Sequence, residues 1–339
     1  MLNLMDERAV WAPPPGTLGS IAGSFGKGWE VLVLRAPVTG RGDGGGGSDE
    51  MIGAARGAEV LIGFGLPRDV LLAALEPPAR LRWIHSGSAG VASLLHPELV
   101  ESDIVLTNSA GIHGPPIAET VLAMVLHFAR GLDYAVRAQA ESRWDPIPWE
   151  TPGTAREIAG ATLGIVGLGG LGREIATRAL ALGMRVLAIR RSDRPAPEGI
   201  ELLRGDDALD TLLARSDFVV LTVPATPETR GMIGAGQLER MRPDAVLINV
   251  ARGGLIDEDA LAATLANGRL RGAALDVTAT EPLPASSPLW KLPNVLIMPH
   301  VSPTTTRFWE REEALITENV RRYLDGRELR NVVDKRAGY

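Results

Sequence analysis

The sequence predicts an α/β protein that folds into two domains, each built on a parallel β-sheet. Its 339 residues are long enough for two hydrophobic cores of ordinary size. Short apolar segments alternate with helix-like stretches in the first hundred residues, and a second series of this kind begins after Ile158. This alternation is typical of parallel strands joined by crossover helices.

The first series contains four segments that we predict to be strands: VLVL (31–34), AEVLIGF (58–64), RLRWIH (80–85) and DIVLTN (103–108). The glycine-rich stretch RGDGGGGSDE (41–50) is interpreted as a flexible surface loop and not as a phosphate loop, because no helix with Lys-Ser or Lys-Thr follows it. Helical spacing of apolar residues runs from Pro116 to about Gly131. The polar, proline-broken segment that follows, up to Trp149, is interpreted as a linker or arm.

The second series contains six predicted strands: TLGIV (162–166), MRVLAI (184–189), DFVVLTV (217–223), AVLINV (245–250), GAALDV (272–277) and NVLIMP (294–299). The last forty residues contain one long amphipathic helix, which we predict at about 306–325. We expect Thr304 to Thr306 to cap its N-terminus and Gly326 to end it.

The amino-acid composition limits the kinds of molecule that the protein is expected to bind. The chain has no cysteine, which excludes disulfides and thiolate metal sites, and we predict no metal site. A net charge of -6 without long charge runs argues against nucleic-acid binding. The longest apolar run, VLAMVLHFARGL (121–132), is too short and too polar to cross a bilayer. Without a recognisable secretory signal at the N-terminus, we expect a cytoplasmic protein that binds small molecules.

A glycine loop follows the predicted strand at 162–166. Gly167, Gly169 and Gly172 form the pattern G-x-G-x-x-G, and a helical segment that ends at Gly183 follows it. In a dinucleotide-binding unit these glycines permit the tight turn, the approach of the pyrophosphate and close helix–strand packing. The pattern alone is weak, but the strand, helix and strand around it favour this function over a plain turn.

The next strand ends in basic residues where a dinucleotide site often carries an acid. An acid at this position binds the ribose hydroxyls of NAD, whereas an arginine accommodates the 2'-phosphate of NADP. Here Arg190, Arg191 and Ser192 occupy the position, which predicts a phosphate clamp and a preference for NADP(H) over NAD(H). The alternatives are a solvated basic turn, or a ribose contact made by Asp193.

Four residues whose side chains can bind a ligand or transfer a proton follow later strands: Arg252, Asp276, Glu281 and His300. Ligands of an open parallel sheet bind outside the carboxyl ends of its strands, so these residues are candidates for one site. Arg252 can bind a carboxylate in bidentate fashion. Histidine exchanges protons near neutral pH, and Glu281 would orient the His300 ring. Together with a dinucleotide site, this set predicts reversible hydride transfer to a 2-keto acid.

Three alternatives remain open at this point. Arg252 could instead cap a helix or pair with the neighbouring Asp257 or Glu258, and Glu281 could simply be solvated. The chain has five histidines, and spacing alone does not choose between His113 and His300 as the catalytic residue. The remaining three are His85, His96 and His127, and we expect the last of these to be a packed or capping residue of an apolar helix.

Several segments resemble the D-isomer-specific 2-hydroxyacid dehydrogenases, in particular NADPH-dependent glyoxylate and hydroxypyruvate reductases. They are VGLGGLG (166–172), NVARGGLIDEDAL (249–261), GAALDVTATEPLP (272–284), LPNVLIMPH (292–300), LRWIHSGSAGVASLL (81–95), LTNSAGIHGPPIAETVLAMVL (106–126) and DFVVLTVPATPETRGMIG (217–234). The resemblance spans residues 58–326, and several distant motifs occur in the same order as in the family.

The resemblance implies a role for each candidate residue. It implies a catalytic trio of Arg252, Glu281 and His300, which favours His300 over His113. It places Asp276 at the nicotinamide carboxamide. The implied pyrophosphate donors are the amides of Gly170 and Leu171, the implied nicotinamide walls are Val223, Pro224, Val250 and Ala251, and the implied ligands of the substrate carboxylate are the amides of Ser88, Ala89 and Gly90.

The resemblance also implies an architecture of two doubly wound domains, flavodoxin-like and Rossmann, with the active site in a cleft between them. The substrate domain would comprise 1–110 and 303–339, and the cofactor domain 111–302. A dimerisation arm would lie at about 112–150, with Trp144 or Trp149 reaching the partner's pocket. The sequence departs from the family at Ser88 to Ala92, where an acid is missing, and at Thr278 and Met298. These departures leave the substrate open.

The sequence thus predicts a homodimeric oxidoreductase that transfers a hydride between NADP(H) and a small 2-keto acid or D-2-hydroxy acid. One alternative within the family is a phosphoglycerate dehydrogenase-like enzyme. The alternative from another class is a non-catalytic, dinucleotide-sensing scaffold that resembles the family's corepressors.

Overall fold

The computed structural model describes residues 1–6, 8–35 and 46–338. The chain divides into two compact units, one formed by Met1–His113 with Thr304–Tyr339 and the other by Gly114–Pro303. The predicted glycine-rich surface loop lies, up to residue 45, outside the described residues. Its end is described, and there the Ser48 hydroxyl accepts a hydrogen bond from the Met51 amide and caps the next helix.

The first unit contains a parallel sheet of four strands in the order β1-β2-β3-β4. They are β1 (Leu2–Asn3), β2 (Val60–Gly63), β3 (Trp83–Ser86) and β4 (Val105–Asn108). Two lie within predicted strands and β3 extends one residue beyond its predicted segment, to Ser86, but β1 was not predicted because two residues carry no periodicity. The predicted strand at 31–34 is reduced to a single bridge between Val33 and Leu2, made by the hydrogen bonds from the Leu2 amide to the Leu32 carbonyl and from the Leu34 amide to the Leu2 carbonyl. With this bridge counted as a strand, the spatial order is 2-1-3-4-5, the flavodoxin-like order.

Both faces of this sheet are buried, as in other parallel sheets that helices cover on two sides. Leu61, Ile84 and Leu106 pack into one apolar cluster, and Ile62 and Trp83 into another. The helices that precede the second unit are α1 (Thr17–Gly23), α2 (Asp49–Ala55), α3 (Arg68–Leu75) and α4 (Pro97–Val100).

The second unit contains a parallel sheet of seven strands in the order β11-β10-β9-β8-β5-β6-β7. They are β5 (Thr162–Val166), β6 (Arg185–Ile189), β7 (Ile200–Leu203), β8 (Phe218–Leu221), β9 (Val246–Asn249), β10 (Gly272–Leu275) and β11 (Val295–Ile297). Counted from β5, this is the doubly wound Rossmann order extended by one strand. Six strands match predicted segments, and the seventh, β7, is a partly exposed edge strand that the sequence pattern did not indicate.

Seven helices accompany this sheet in the described residues: α5 (Gly114–Ala129), α6 (Leu132–Ala140), α7 (Ile147–Glu150), α8 (Gly170–Ala181), α9 (Ala208–Arg215), α10 (Ala235–Arg240) and α11 (Glu258–Ala266). The predicted arm is therefore largely helical. Apolar clusters cover both faces of the sheet, with Ile165 and Val220 on one side and Val219 and Leu247 on the other.

The chain returns to the first unit as α12 (Phe308–Leu324). The prediction that Thr304 to Thr306 cap this helix is wrong, because the N-cap position is held by Arg307, which makes no capping bond through its side chain. The predicted end is confirmed, and Gly326 follows it with a left-handed φ of 63°. Among the described residues, no helix has both the length and the hydropathy to cross a membrane.

His127 makes the stability of the folded protein depend on pH. It is half-buried on α5, with its ring against the edge of Phe128 at 4.9 Å, and burial lowers its pKa below 6.5 despite the opposing effect of Asp133. Near and below pH 6.5 the unfolded chain binds a proton that the folded chain excludes, so His127 favours unfolding as the pH falls. We expect His127→Gln to lose less thermal stability than the wild type between about pH 7.5 and pH 5. Thermal denaturation at the two pH values measures this, and equal losses would contradict it.

Candidate active site

The predicted site residues of the second unit line one edge of its sheet. In-register pairing aligns the carboxyl ends of the strands, because Asn249 of β9 lies between Leu221 of β8 and Leu275 of β10. The residues that follow these ends are therefore neighbours at intervals of about 4.8 Å, the usual separation of adjacent strands. From one end of the edge to the other, the predicted residues are His300, Asp276 with Glu281, Val250 to Arg252, Val223 with Pro224, Gly167 to Gly172, and Arg190 to Ser192.

His300 and Glu281 form a hydrogen-bonded pair at one end of this edge. The distance from His300 Nδ1 to Glu281 Oε2 is 2.8 Å, and both side chains are partly exposed. A carboxylate only accepts hydrogen bonds, so Nδ1 donates and Nε2 is left to exchange a proton with a bound molecule. The second carboxylate oxygen of Glu281 accepts from the Thr278 amide at 3.2 Å, which fixes the orientation of the pair.

Asp276 holds the backbone that carries His300. The φ of His300 is 57°, a left-handed conformation that is uncommon for a residue with a side chain. The His300 amide donates to the Asp276 carbonyl at 2.8 Å. The buried Asp276 carboxylate accepts from the amides of Val301 and Ser302 and from the Ser302 hydroxyl. The carboxylate is thus engaged within its own chain, and its contact with a nicotinamide carboxamide stays a prediction.

Arg252 follows β9 with an exposed side chain whose Nη1 donates to the Ala251 carbonyl at 2.6 Å. The buried Asn249 side chain donates to the Arg252 carbonyl at 2.8 Å and accepts from the Ala251 amide at 3.1 Å. The alternative partners of Arg252 are used otherwise. Asp257 caps α11 through the Ala260 amide, and Glu258 accepts from the Ala279 amide at 2.6 Å.

Gly253 brings the segment after β9 against the segment after β10. A Cβ atom at this position would lie 1.9 Å from the carbonyl carbon of Thr278 and 2.3 Å from the Ala279 nitrogen. Only glycine tolerates backbone this close. The contact therefore holds the residue next to Arg252 beside the loop that ends in Glu281.

The glycine loop has the geometry that a dinucleotide requires. Gly167 has a φ of 110°, and its carbonyl accepts from the Thr222 hydroxyl at 2.6 Å. A Cβ on Gly172 would lie 2.2 Å from the Gly167 carbonyl oxygen, whereas a Cβ on Gly169 or Gly170 would meet nothing within 4 Å. The structure thus shows close helix–strand packing at Gly172 and open space at Gly169 and Gly170. Helix α8 begins here, and its first-turn amides lack intrahelical acceptors and suit an anion.

Arg190 lies beside the glycine loop, because the Ile189 carbonyl that precedes it accepts from the amides of Gly167 and Leu168. Its Nε and Nη2 atoms are shielded from solvent and bond to nothing in the described residues. The alternative ribose ligand, Asp193, pairs with Arg204 at 2.8 Å. The phosphate clamp stays a prediction, as do the solvated turn and the ribose contact of Asp193.

The charge of Arg191 reaches the loop after β8. A hydrogen bond from Thr226 is the main cause that lowers the pKa of Glu228, and the positive charge of Arg191 contributes to the same effect. Ser192, the third member of the predicted clamp, is exposed. The segment after β6 is therefore electrostatically linked to the loop after β8, two strands away in the sheet.

The predicted carboxylate loop lies in the first unit, after β3. The Ser88 amide donates to the Ser86 hydroxyl at 3.3 Å. The amides of Ala89 and Gly90 find no acceptor in the described part of the chain. Two adjacent backbone donors of this kind suit an anion, and the contact of this loop with a substrate carboxylate stays a prediction.

His113 and the two arm tryptophans lie outside the group of residues along the sheet edge. The His113 ring stacks on Phe308 at 5.4 Å in an aromatic cluster of the first unit. In the arm, Trp149 donates to the Arg130 carbonyl at 3.0 Å, whereas the Trp144 side chain is 98% exposed. Of the two tryptophans, Trp144 is therefore the one that is available to another molecule.

Sequence reasoning did not identify Asn249, Ser302, Thr222 or Gly253 as parts of this site. A weak signal existed for Asn249, an isolated amide at the end of the apolar run AVLIN. Buried polar groups almost always have hydrogen-bond partners, so such a residue indicates a contact in the following loop. No local signal indicated the others, whose contacts are made with residues distant in sequence.

Comparison with known proteins agrees with this geometry. Residues 122–302 match the family described as D-isomer specific 2-hydroxyacid dehydrogenase, NAD binding domain. The chain is 37% identical over 281 residues to glyoxylate/hydroxypyruvate reductase B of Pectobacterium carotovorum, an alignment that covers 82% of this chain and 86% of the relative. It is 32% identical over 295 residues to D-3-phosphoglycerate dehydrogenase of Methanocaldococcus jannaschii, covering 84% of this chain and 53% of the relative. The chain thus spans about half the length of that dehydrogenase.

A solved structure shows the same fold over the whole chain. It is a D-isomer specific 2-hydroxyacid dehydrogenase from Xanthobacter autotrophicus Py2, in complex with NADPH and MES. The TM-score is 0.79 at 32% sequence identity, and the alignment covers 100% of this chain and 99% of the other.

Proposed function

Because the chain belongs to the D-isomer specific 2-hydroxyacid dehydrogenase family, we propose that it reduces a small 2-keto acid with NADPH. Glyoxylate and hydroxypyruvate are the proposed substrates, since a reductase named for both is 37% identical to this chain over most of both lengths. The product is the corresponding D-2-hydroxy acid.

The observation that carries this proposal is the His300–Glu281 pair, 2.8 Å apart on the sheet edge that also holds the glycine loop. Reduction of a carbonyl needs a hydride at carbon and a proton at oxygen. The reduced nicotinamide supplies the hydride when it is bound. His300 then donates its proton from Nε2 to the carbonyl oxygen, and Glu281 stabilises the imidazolium before this transfer. Arg252 polarises the carbonyl and binds the carboxylate.

The 86–90 loop is proposed to bind the substrate carboxylate through the amides of Ala89 and Gly90. Backbone amides suit this role because they are fixed donors that need no reorganisation. The acid that relatives often carry at the position of Ala92 is missing, so no charge at that position opposes an anion.

Preference for NADPH is supported by Arg190, whose shielded Nε and Nη2 atoms have no partner in the described residues. Arg190 is partly buried, and shielded N–H groups without acceptors are unfavourable unless an anion joins them. The anion that we propose is the 2'-phosphate of NADPH, because this strand end is where dinucleotide-binding folds contact the adenosine ribose. The Xanthobacter structure, which contains NADPH, is consistent with this proposal.

A cofactor-oxidation assay tests the proposed function. We expect loss of nicotinamide absorbance with glyoxylate or hydroxypyruvate, and faster loss with NADPH than with NADH. Turnover of a phosphorylated 3-carbon keto acid above the others would favour the phosphoglycerate dehydrogenase-like alternative. Tight NADPH binding without turnover across a broad panel of 2-keto acids would favour the sensing scaffold.

We also propose that the protein is a cytoplasmic homodimer that associates through the arm. Five apolar side chains of this region are exposed on the isolated chain: Leu126, Leu132, Val136, Trp144 and Ile147. Exposed apolar patches of this kind usually mark an interface.

Replacing Val136, which is 60% exposed, with glutamate is expected to convert the dimer to a monomer. The added carboxylate would have to be buried without a partner in the interface, which is strongly unfavourable. Light scattering during size-exclusion chromatography measures the mass. A dimer of unchanged stability would show that the arm is not the interface.

A further inference from the structure

A polar cluster lies buried behind the proposed carboxylate loop. His85, Ser109 and Glu312 are fully or almost fully inaccessible to solvent. His85 Nε2 lies 3.6 Å from Glu312 Oε1, and the Ser109 hydroxyl is 2.9 Å from the same oxygen. The second oxygen of Glu312 has no partner in the described residues. None of these three side chains takes part in the proposed chemistry.

The Ser109 hydroxyl joins this cluster to the loop. Its oxygen is within hydrogen-bond distance of the Ser86 carbonyl at 3.0 Å, of Glu312 at 2.9 Å and of His85 Nε2 at 3.4 Å. A hydroxyl has one hydrogen, so Ser109 can donate to only one of these three groups and must accept from any other group that it bonds. The loop also packs directly on Glu312, because a Cβ on Gly87 would lie 3.2 Å from Glu312 Oε1.

Asn108, the last residue of β4, and Ser109, the residue after it, hold two carbonyl groups of the loop. The Ser109 amide donates to the Ser88 carbonyl at 3.3 Å, and the Asn108 side-chain amide donates to the Ala89 carbonyl at 2.8 Å. In a planar trans peptide the N–H points opposite to the C=O. Fixing the carbonyls of Ser88 and Ala89 toward β4 therefore turns the amides of Ala89 and Gly90 away from it.

We propose that Asn108 and Ser109 are positioning residues for the substrate, with Ser109 held in place by the buried His85–Glu312 pair. They fix the two peptide groups whose amides bind the substrate carboxylate. This inference rests on the proposed function, which assigns that carboxylate to the loop. These residues of the first unit thereby affect the affinity for the substrate without contacting the substrate.

The test compares Asn108→Ala with Asn319→Ala. Asn319 is a matched control, because it is buried in the same unit and its side-chain amide donates to a backbone carbonyl, that of Arg330, at 3.1 Å. We expect Asn108→Ala to raise KM for the 2-keto acid about 10-fold, the usual effect of losing one hydrogen bond, with kcat and KM for NADPH nearly unchanged. Asn319→Ala is expected to lower Tm with no change in KM. Amide hydrogen exchange of residues 86–90 should quicken only in Asn108→Ala.

The outcomes separate this inference from the proposed function. Wild-type enzyme without turnover on any 2-keto acid would refute the proposed function, and hydrogen exchange would still decide whether Asn108 fixes the loop. Active Asn108→Ala with unchanged KM and unchanged exchange would overturn the inference. An equal rise in KM for Asn319→Ala would also overturn it, because the effect would then be general destabilisation. Asn108→Ser, which is too short to reach the Ala89 carbonyl, replaces Asn108→Ala if that variant does not fold.

Discussion

Replacement of His300 with alanine is expected to lower kcat for glyoxylate or hydroxypyruvate about 10²- to 10⁴-fold, the usual contribution of a general acid. Binding of NADPH should be unchanged, because the glycine loop and Arg190 lie on other strands of the sheet. The loss is expected to be in kcat, since the proton is transferred during the chemical step. Steady-state kinetics and cofactor titration by fluorescence measure the two quantities.

Two further variants make this prediction specific. Glu281→Gln keeps a side chain of the same size at the 2.8 Å contact with His300 but removes the charge that stabilises the imidazolium. It should therefore lower kcat less than His300→Ala does and move the pH profile of kcat. His127→Gln removes a histidine of α5 that lies outside the site, and its kcat should equal that of the wild type. Unchanged turnover in His300→Ala would show that another group is the acid.

Replacement of Arg190 with aspartate is expected to exchange the cofactor preference. Each charge-assisted hydrogen bond to a phosphate contributes roughly 1.5–3 kcal/mol, so the loss of one such bond from Arg190 amounts to about 10- to 10²-fold in affinity for NADPH. The introduced carboxylate also repels the 2'-phosphate and can bind the ribose hydroxyls of NADH. Kd for NADPH should therefore rise far more than Kd for NADH.

Arg194→Asp is the matched control for this prediction. Arg194 is exposed on the same loop, and the substitution changes the net charge equally. We expect it to leave the ratio of the two Kd values nearly unchanged, because exposed charges are strongly screened. Equal effects of Arg190→Asp on both cofactors, or equal effects of the two variants, would refute the clamp.

The strands of the second unit follow largely from the sequence, since six of them are apolar segments with clear ends, although β11 is partly exposed at one edge of the sheet. The seventh, IELL at 200–203, is a partly exposed edge strand, and its burial pattern depends on the neighbour that it has only on one side. In the first unit, the two residues of β1 become a strand because β2 and Val33 flank them. Short segments of this kind gain their structure from tertiary contacts that no local pattern contains.

The residue types of the candidate site were predictable, but the support of the site was not. Position after a strand end and the chemistry of Arg252, Glu281 and His300 are visible in the sequence. The carboxylate of Asp276, by contrast, binds the backbone 25 and 26 residues later. The contact of Gly253 with Thr278 likewise depends on the adjacency of β9 and β10. These contacts exist only once the sheet has formed.

The order of the strands places the proposed residues for cofactor preference and for proton transfer far apart in the sheet. Arg190 follows β6 and His300 follows β11, and five strand intervals lie between them in the sheet order β11-β10-β9-β8-β5-β6. At about 4.8 Å per interval the two lie roughly 24 Å apart along the edge. Substitutions at such a distance combine additively, with little epistasis. Substitutions after β6 are therefore expected to change the preferred nicotinamide cofactor during evolution without changing proton transfer by His300.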